Sequence, residues 1–212
     1  MRSFKTEGIV IKRRNFNEAD RILTVMTRDY GKIHIKAAGV RKITSRRSAH
    51  IELLNHTTLH LYKGKVFLVL TEATMRDDFS KIKEDFDKVG LAYHLCELID
   101  GLCPENQENR NVFDLLLKTL AILSENNVSL PQYASSEIDD YTLGTFGMGV
   151  SDAPRLENNQ ESMLHEFEIS LLSELGYWNR QTAMTRQFDT HEMIEDILEK
   201  KLKSRSIFAK LQ

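Results

Sequence analysis

The sequence lacks the features that mark secreted, membrane-spanning and disulfide-linked proteins. The 212 residues include 2 cysteines and 3 prolines. Cys96 and Cys103 lie seven residues apart in a stretch with a helical pattern, which places their Cα atoms about 10 Å apart, too far for a disulfide bond. No apolar run approaches the roughly 20 residues that cross a bilayer, and the basic N-terminus is not followed by the apolar segment of a signal peptide. We expect a cytoplasmic protein without contact to a membrane.

Acidic residues are scarce in the first third of the chain. Residues 1–76 contain 16 Lys and Arg against 6 Asp and Glu, whereas residues 77–212 contain 13 against 25. A positive excess of this size attracts polyanions, because each cation placed near a phosphate releases condensed counterions. We predict a basic nucleic-acid-binding domain over residues 1–76 and an acidic helical domain over 77–212, with an irregular insertion at about 126–159 and a basic C-terminal end.

The hydrophobic pattern changes its period at the same boundary. Period-two alternation predicts five short antiparallel strands, over residues 7–12, 22–27, 32–38, 51–62 and 65–73. Five short strands are too few for a sandwich, and closing them into a barrel leaves no unpaired sheet edge, so we expect a closed barrel. From Ser80 the pattern is helical and predicts helices over 80–103, 111–123, 161–175 and 190–203, the third ended by Gly176 and the last begun by a capping pair, Asp189 and Glu192. The predicted class is α+β.

Catalytic and metal-binding patterns are weak throughout. The sequence shows no nucleophile elbow and no Ser, His and Asp set, so we predict that the protein is not an enzyme. His56 and His60 have the spacing of metal ligands on a helix, but in the strand pattern found there they are about 13 Å apart and are expected on the sheet surface. We expect no metal site and no cofactor.

Cations collect in two loops and on one face of the third predicted strand. In that strand Lys32, His34 and Lys36 alternate with Ile33 and Ile35, which separates a cationic face from a core face. The candidate DNA-binding cations are Lys12, Arg13, Arg14, Lys32, Lys36, Arg41, Lys42, Arg46 and Arg47. The candidate residues for stacking on unpaired bases are Phe16, Tyr30 and Tyr62. A basic groove with aromatic residues suits single strands, and a merely solvated basic surface is the alternative.

The C-terminal end is basic as well, with no acidic residue after Glu199. The cations there are Lys200, Lys201, Lys203, Arg205 and Lys210. Complementation of the helix dipole would account for the first three of them. The alternatives are a second phosphate site or a pocket for an acidic peptide, since apolar residues alternate with the cations. The candidate peptide-binding residues are Lys201, Lys203 and Arg205.

Four blocks in the first third resemble the opening of the RecO family of bacterial recombination mediators. They are Thr6–Lys12, Asn17–Thr24, Thr27–Lys32 and Gly39–Lys42. Further likenesses are Leu61–Gly64, Leu172–Tyr177 and Leu202–Arg205. The resemblance implies an OB-fold barrel followed by helices, without a catalytic centre. The motif match implies that Lys36, Arg41 and Lys42 contact DNA. Many family members carry a four-cysteine zinc module after the Leu-Gly-Tyr helix end, but residues 177–189 contain no cysteine.

The function that the resemblance implies is recombinational DNA repair. Family members bind single- and double-stranded DNA, anneal complementary strands, and act with RecR. They also engage the acidic C-terminal tail of single-stranded DNA-binding protein to help RecA load. Two other hypotheses stay open at this point. One is an RNA-binding OB-fold module in translation or RNA handling, and the other is an adaptor whose basic face docks an acidic protein.

Overall fold

The computed structural model describes residues 2–125, 155–177 and 190–204. Five strands come first: β1 Ser3–Phe16, β2 Asp20–Thr27, β3 Gly31–Ala37, β4 His56–Lys63 and β5 Leu68–Asp77. Helices follow: α1 Ser80–Lys83, α2 Phe86–Leu102, α3 Arg110–Ser124, α4 Arg155–Glu174 and α5 Thr190–Leu198. The predicted α+β class is therefore confirmed. Among the described residues, none of the helices is both long and apolar enough to cross a membrane.

The five strands form a closed barrel in the order β1-β2-β3-β5-β4. The predicted barrel is confirmed, but the prediction that all strands pair antiparallel is wrong, because β3 and β5 run parallel. Strand directions cannot alternate all the way around a ring of five, so one parallel pair is unavoidable. A bulge between Val10 and Lys12 lets β1 pair with β4 along its first half and with β2 along its second.

Two predicted strands begin too early. Residues 51–55 and 65–67 lie outside β4 and β5, and a 3₁₀ turn, Ala49–Ile51, precedes β4. Leu54 adopts φ +70°, a left-handed conformation that a strand does not contain. Gly31 takes the left-handed conformation that ends the β2–β3 turn.

The barrel and the helices pack through β1. Val10 belongs to the cluster that fills the barrel, whereas Ile9 and Ile11 belong to a second cluster that also contains Leu95 and Ile99 of α2. Successive strand residues point to opposite faces, so β1 contributes to both cores. Complete burial of an isoleucine stabilises the fold by about 2–3 kcal/mol. The helices therefore cover one side of the barrel and leave the rest of its surface open.

The helices differ from their predicted bounds in three places. The first is interrupted at Asp85, whose carboxylate caps α2 by accepting the N–H groups of residues 87 and 88. α4 begins at Arg155, within the segment predicted to be irregular. α5 ends at Leu198 instead of residue 203, because Glu199 turns left-handed at φ +52°. Gly176 ends α4 at φ +79° as predicted, and Asp189 lies outside the described residues.

Candidate nucleic-acid interface

Three connections meet at one end of the barrel, which we call the loop end. They are the β1–β2 turn (residues 17–19), the long loop between β3 and the 3₁₀ turn (residues 38–48) and the β4–β5 loop (residues 64–67). The strand pairing places them together: β1 ends beside the start of β2, and β3 ends beside the start of β5. The β2–β3 turn and the barrel contacts of the α2–α3 connection lie away from this end.

A row of residues on the outer face of the sheet, of which Ile22 is buried, crosses the sheet next to the loop end. Arg14 pairs with Ile22, and Ile22 pairs with Lys36. Lys36 pairs in turn with Val69, and Val69 pairs with Tyr62. Residues that pair directly lie on the same face of a sheet. The structure therefore brings Arg14, Lys36 and Tyr62 into one row, as expected for a cationic face with an aromatic residue.

Aromatic rings extend this row toward the loops. The Lys36 ammonium lies 5.4 Å from the centroid of the Phe16 ring. The Phe16 ring packs edge-on against Phe67, with centroids 6.1 Å apart. Phe67, in the β4–β5 loop, was missed by the sequence analysis, although an aromatic residue just after Gly64 in a basic hairpin was the available signal. Cation and ring stand side by side here, which is the pairing that a nucleic-acid groove uses.

Asp20 fixes the start of the long loop. Its carboxylate accepts the N–H of Gly39 at 2.8 Å and forms an ion pair with Lys36 at 3.0 Å. The hydrogen bond from Gly39 and the neighbouring Lys36 ammonium lower the pKa of Asp20 below its ordinary value. Asp20 is therefore ionised at neutral pH and offsets part of the charge of Lys36.

The long loop is held by its own arginines. The Arg47 guanidinium donates to the carbonyl oxygens of Ala38 and Leu70, each at 2.7 Å. Arg41 donates a side-chain hydrogen bond to the carbonyl of Asn17 at 3.1 Å and remains exposed. Arg47 is thus engaged with backbone, whereas Arg41 has further donors to offer.

Among the predicted DNA-binding cations, three exposed side chains form no ion pair and no hydrogen bond with another described residue. They are Arg14, Lys42 and Arg46, although the charge of Lys42 acts on Asp20 from a greater distance. Arg14 lies in the cationic row, and the other two lie in the long loop. Ile43, fully exposed between them, and Val66 in the β4–β5 loop add apolar surface to the same end. Cations, aromatic rings and apolar tips therefore share one region of the barrel.

Other predicted cations face partners within the chain. Lys12 forms an ion pair with Asp100 at 2.5 Å. Lys32 is 6% exposed and donates to the carbonyl oxygen of Asp100 at 2.5 Å. Arg13 is paired with Glu52. The predicted cationic face of β3 is thus divided, because the helical part covers its beginning and leaves Lys36 open.

Tyr30 lies away from Phe16, next to Phe4, whose strand partner, Leu61, precedes Tyr62. It is in the β2–β3 turn, at the opposite end of β2 from Phe16, and its ring packs on Phe4 with centroids 4.6 Å apart. The structure therefore brings Phe16 and Phe67 together at the loop end and Tyr62 into the adjoining row, but places Tyr30 elsewhere.

Family models identify the fold that carries this surface. The model described as the N-terminal domain of recombination protein O matches residues 1–79, and the one described as its C-terminal domain matches residues 83–147. The chain belongs to the RecO family. The closed barrel is accordingly the OB-fold that was predicted, and the RecO match to the first domain contains the whole loop end.

The relatives are bacterial proteins named DNA repair protein RecO. The one from Roseiflexus sp. is 39% identical over 123 residues, covering 58% of this chain and 43% of the relative. The one from Symbiobacterium thermophilum is 29% identical over 177 residues, covering 84% and 58%. The one from Desulforamulus reducens is 32% identical over 127 residues, covering 60% and 50%. The chain spans about half the length of these curated relatives.

Two of the blocks that carried the RecO resemblance meet at the loop end. The N–H of Arg41, in the block Gly39–Lys42, donates to the carbonyl of Ala19, in the block Asn17–Thr24, at 2.9 Å. Two blocks that are separate in the sequence therefore form one surface. This contact positions the long loop over the end of β1.

The C-terminal cations lie at a second place. Lys200, Lys201 and Lys203 line a cleft of about 340 Å³ between β1 and α2, together with the apolar side chains of Leu53 and Tyr93. The Glu97 carboxylate accepts the N–H groups of Lys203 at 2.9 Å and of Ser204 at 2.8 Å. Burial opposes ionisation of Glu97, but the two backbone hydrogen bonds, the Ser204 side chain and the nearby His94 together lower its pKa below the ordinary value. Arg205 lies outside the described residues.

Proposed function

We propose that the loop end binds DNA and that the protein acts in DNA repair as a recombination mediator. The observation that carries the proposal is the set of unpaired cations, Arg14, Lys42 and Arg46, beside the Phe16–Phe67 ring pair. Exposed, unpaired cations release counterions when they meet phosphates, whereas cations already in ion pairs release fewer. The names of the RecO relatives support a repair role for such a surface.

In this proposal the cations of the surface bind the phosphates of single-stranded DNA and the aromatic rings bind its bases. The phosphates lie along the long loop and the cationic row, where Arg14, Lys42 and Arg46 neutralise them. Unpaired bases stack on Phe16, Phe67 and Tyr62, which requires no particular sequence because every base has a flat face. Two strands with neutralised backbones repel each other less, and this promotes annealing.

The mediator role places protein partners on the helical side. In this proposal the protein acts with RecR to replace single-stranded DNA-binding protein by RecA. The acidic C-terminal tail of the coat protein binds the cleft between β1 and α2, where Lys201 and Lys203 meet its carboxylates. Leu53 and Tyr93 receive its apolar end. When the coat protein binds at this cleft and dissociates from the DNA, the freed single strand binds at the loop end.

Strand annealing with and without coat protein tests binding and mediation together. The chain is expected to accelerate annealing of complementary oligonucleotides and to keep doing so when the coat covers them. The variant Lys42→Glu should slow both reactions. Lys81→Glu, which reverses an exposed lysine on α1 away from the loop end, is the matched control and should leave both rates unchanged.

Three results would contradict the proposal in whole or in part. Equal rates for Lys42→Glu and the unaltered chain would remove the loop end from DNA binding. Preference for RNA over DNA of the same sequence, dependent on the 2′-hydroxyl, would favour the RNA-binding alternative. If the chain anneals bare strands but not strands covered by the coat protein, the DNA-binding part of the proposal stands and the mediator part is wrong.

A further inference from the structure

Three side chains from three helices meet inside the helical region. His94 lies on α2, Glu168 on α4 and His191 at the start of α5. His94 is 2% exposed and Glu168 is fully buried, whereas the side chain of His191 is 33% exposed. The cluster is therefore internal but open to solvent at one edge.

The distances from Glu168 to the two histidines are close to those between the ligand atoms of one metal ion. His94 Nε2 lies 3.1 Å from Glu168 Oε1, and His191 Nδ1 lies 3.2 Å from the same oxygen. All three atoms lie within 4.8 Å of one another. Tetrahedral Zn²⁺ with bonds of about 2.0–2.1 Å holds its ligand atoms about 3.4 Å apart. Small side-chain rotations would bring the three atoms to one centre.

Neighbouring groups orient two of these ligands. His94 Nδ1 is 2.5 Å from the Ser204 hydroxyl, which leaves Nε2 directed at Glu168. The Thr190 hydroxyl donates to Glu168 Oε2 at 2.6 Å, which leaves Oε1 directed at the histidines. Outer hydrogen bonds of this kind fix the ring and carboxylate orientation of metal ligands.

The charge of Glu168 needs a counterpart. A fully buried carboxylate is costly unless a cation compensates it. Within the described ranges, its ion-pair partners are the two histidines, and neutral imidazole supplies no positive charge. A divalent cation would supply that charge and use both rings as ligands. An imidazolium in place of the metal is the competing arrangement.

We propose that His94, Glu168 and His191 bind a divalent transition-metal ion, with Zn²⁺ as the best match. Two imidazole nitrogens and one carboxylate oxygen form a ligand set that Zn²⁺ uses, with water completing the tetrahedron on the open side near His191. Such an ion ties α2, α4 and α5 together and stabilises the helical body. This inference is independent of the DNA-binding proposal.

Zinc binding by the full chain, freed of metal with a chelator, tests the inference. Titration calorimetry should show one Zn²⁺ per chain. At a hundredfold excess of free Zn²⁺ over Kd, the melting midpoint should rise by about 5–10 °C. Co²⁺ in place of Zn²⁺ should give the visible absorption bands of a tetrahedral site.

Variants decide which residues hold the ion. His191→Gln alters a partly exposed side chain and should keep the helical circular dichroism, but it should weaken Zn²⁺ binding at least about tenfold. Ser204 would not bind the ion itself but bonds to its ligand His94. Ser204→Ala should therefore weaken Zn²⁺ binding by about tenfold or more. His60→Gln on the barrel is the control and should bind as the unaltered chain does. The inference is overturned if the unaltered chain binds no Zn²⁺, or if His191→Gln binds it equally well.

Discussion

Changing Arg14, Lys42 and Arg46 to glutamine should weaken DNA binding without unfolding the barrel. All three side chains are exposed and pair with no acid among the described residues, so their removal breaks no ion pair there. Surface substitutions of this kind usually change stability by less than about 0.5 kcal/mol. Their effect on DNA affinity therefore reports phosphate contacts alone.

The size of the effect follows from counterion release. Each lost contact lowers the slope of log affinity against log salt by about 0.9 on duplex and about 0.7 on single strands. Three contacts change the slopes by about 2.7 and 2.1. If the variant and the unaltered chain bind DNA equally at 1 M salt, their affinities diverge as the salt is lowered. At about 0.15 M salt the variant should bind duplex about 170-fold more weakly and single strands about 50-fold more weakly.

Fluorescence anisotropy of a labelled oligonucleotide over a salt series measures both slopes. Lys12→Gln is the informative control, because Lys12 is also an exposed lysine of the basic domain but is paired with Asp100. Its slope should match that of the unaltered chain. The reasoning is refuted if the triple variant keeps its slope, or if Lys12→Gln lowers the slope by a full contact.

Three further predictions concern stability and reactivity. Gly31→Ala should lower the free energy of unfolding in urea by at least about 3 kcal/mol, because the added Cβ would lie 1.8 Å from a carbonyl oxygen of the α2–α3 connection. Gly39 has a similar φ but nothing within 4 Å of the added Cβ, so Gly39→Ala should lower it by only about 1–2 kcal/mol. Burial raises the pKa of Cys96 to about 12, so alkylation at neutral pH should require unfolding, and rapid labelling of the native chain would contradict this. The pKa of Glu97 is lowered from 4.5 by folding, so its carboxylate stabilises the fold above that pH and loses this effect as acid protonates it; Glu97→Gln should be less stable near neutrality, with a difference that disappears in acid urea melts.

Local pattern predicted the barrel because alternate residues of its strands line the barrel interior and its turns are chemically distinct. Alternation in β2 and β3 follows directly from a filled barrel interior. The break between α1 and α2 was not predictable in this way. The apolar pattern runs through it, and only the cap by Asp85 shows that a new helix starts there.

The candidate site was predicted in its residue types but not in its extent. The sequence placed Lys32 and Lys36 on one face, and the structure confirms the shared face. Which end of that face stays open depends on Asp100, which is 68 residues from Lys32. Docking between distant segments has no local signature.

The surroundings of the histidines could not be predicted from the sequence either, because they depend on contacts between distant segments. His56 was expected on the sheet surface, but it is 7% exposed, bonded to Glu7 and packed against Phe113 of α3. The His94 and Glu168 ligand pair is separated by 74 residues, so no sequence spacing indicates it. Such clusters become visible only when helices are placed together.

The distribution of acids separates the two proposed sites. Asp100 pairs with Lys12, Glu105 with His34 and Asp114 with Arg28, all on the side of the barrel that the helices cover. Phosphates that approached this side would meet carboxylates, which is consistent with the proposal that DNA binds at the loop end. The histidine cluster lies within the helices behind this acidic side.

Each site should therefore respond to its own variants alone. His191→Gln should abolish the zinc-dependent rise in melting midpoint while leaving the DNA salt slope unchanged. The triple glutamine variant should lower the slope while binding Zn²⁺ as before. Loss of DNA affinity in His191→Gln, with circular dichroism intact, would show that the helical body contributes to the DNA path and would contradict the assignment of DNA to the loop end.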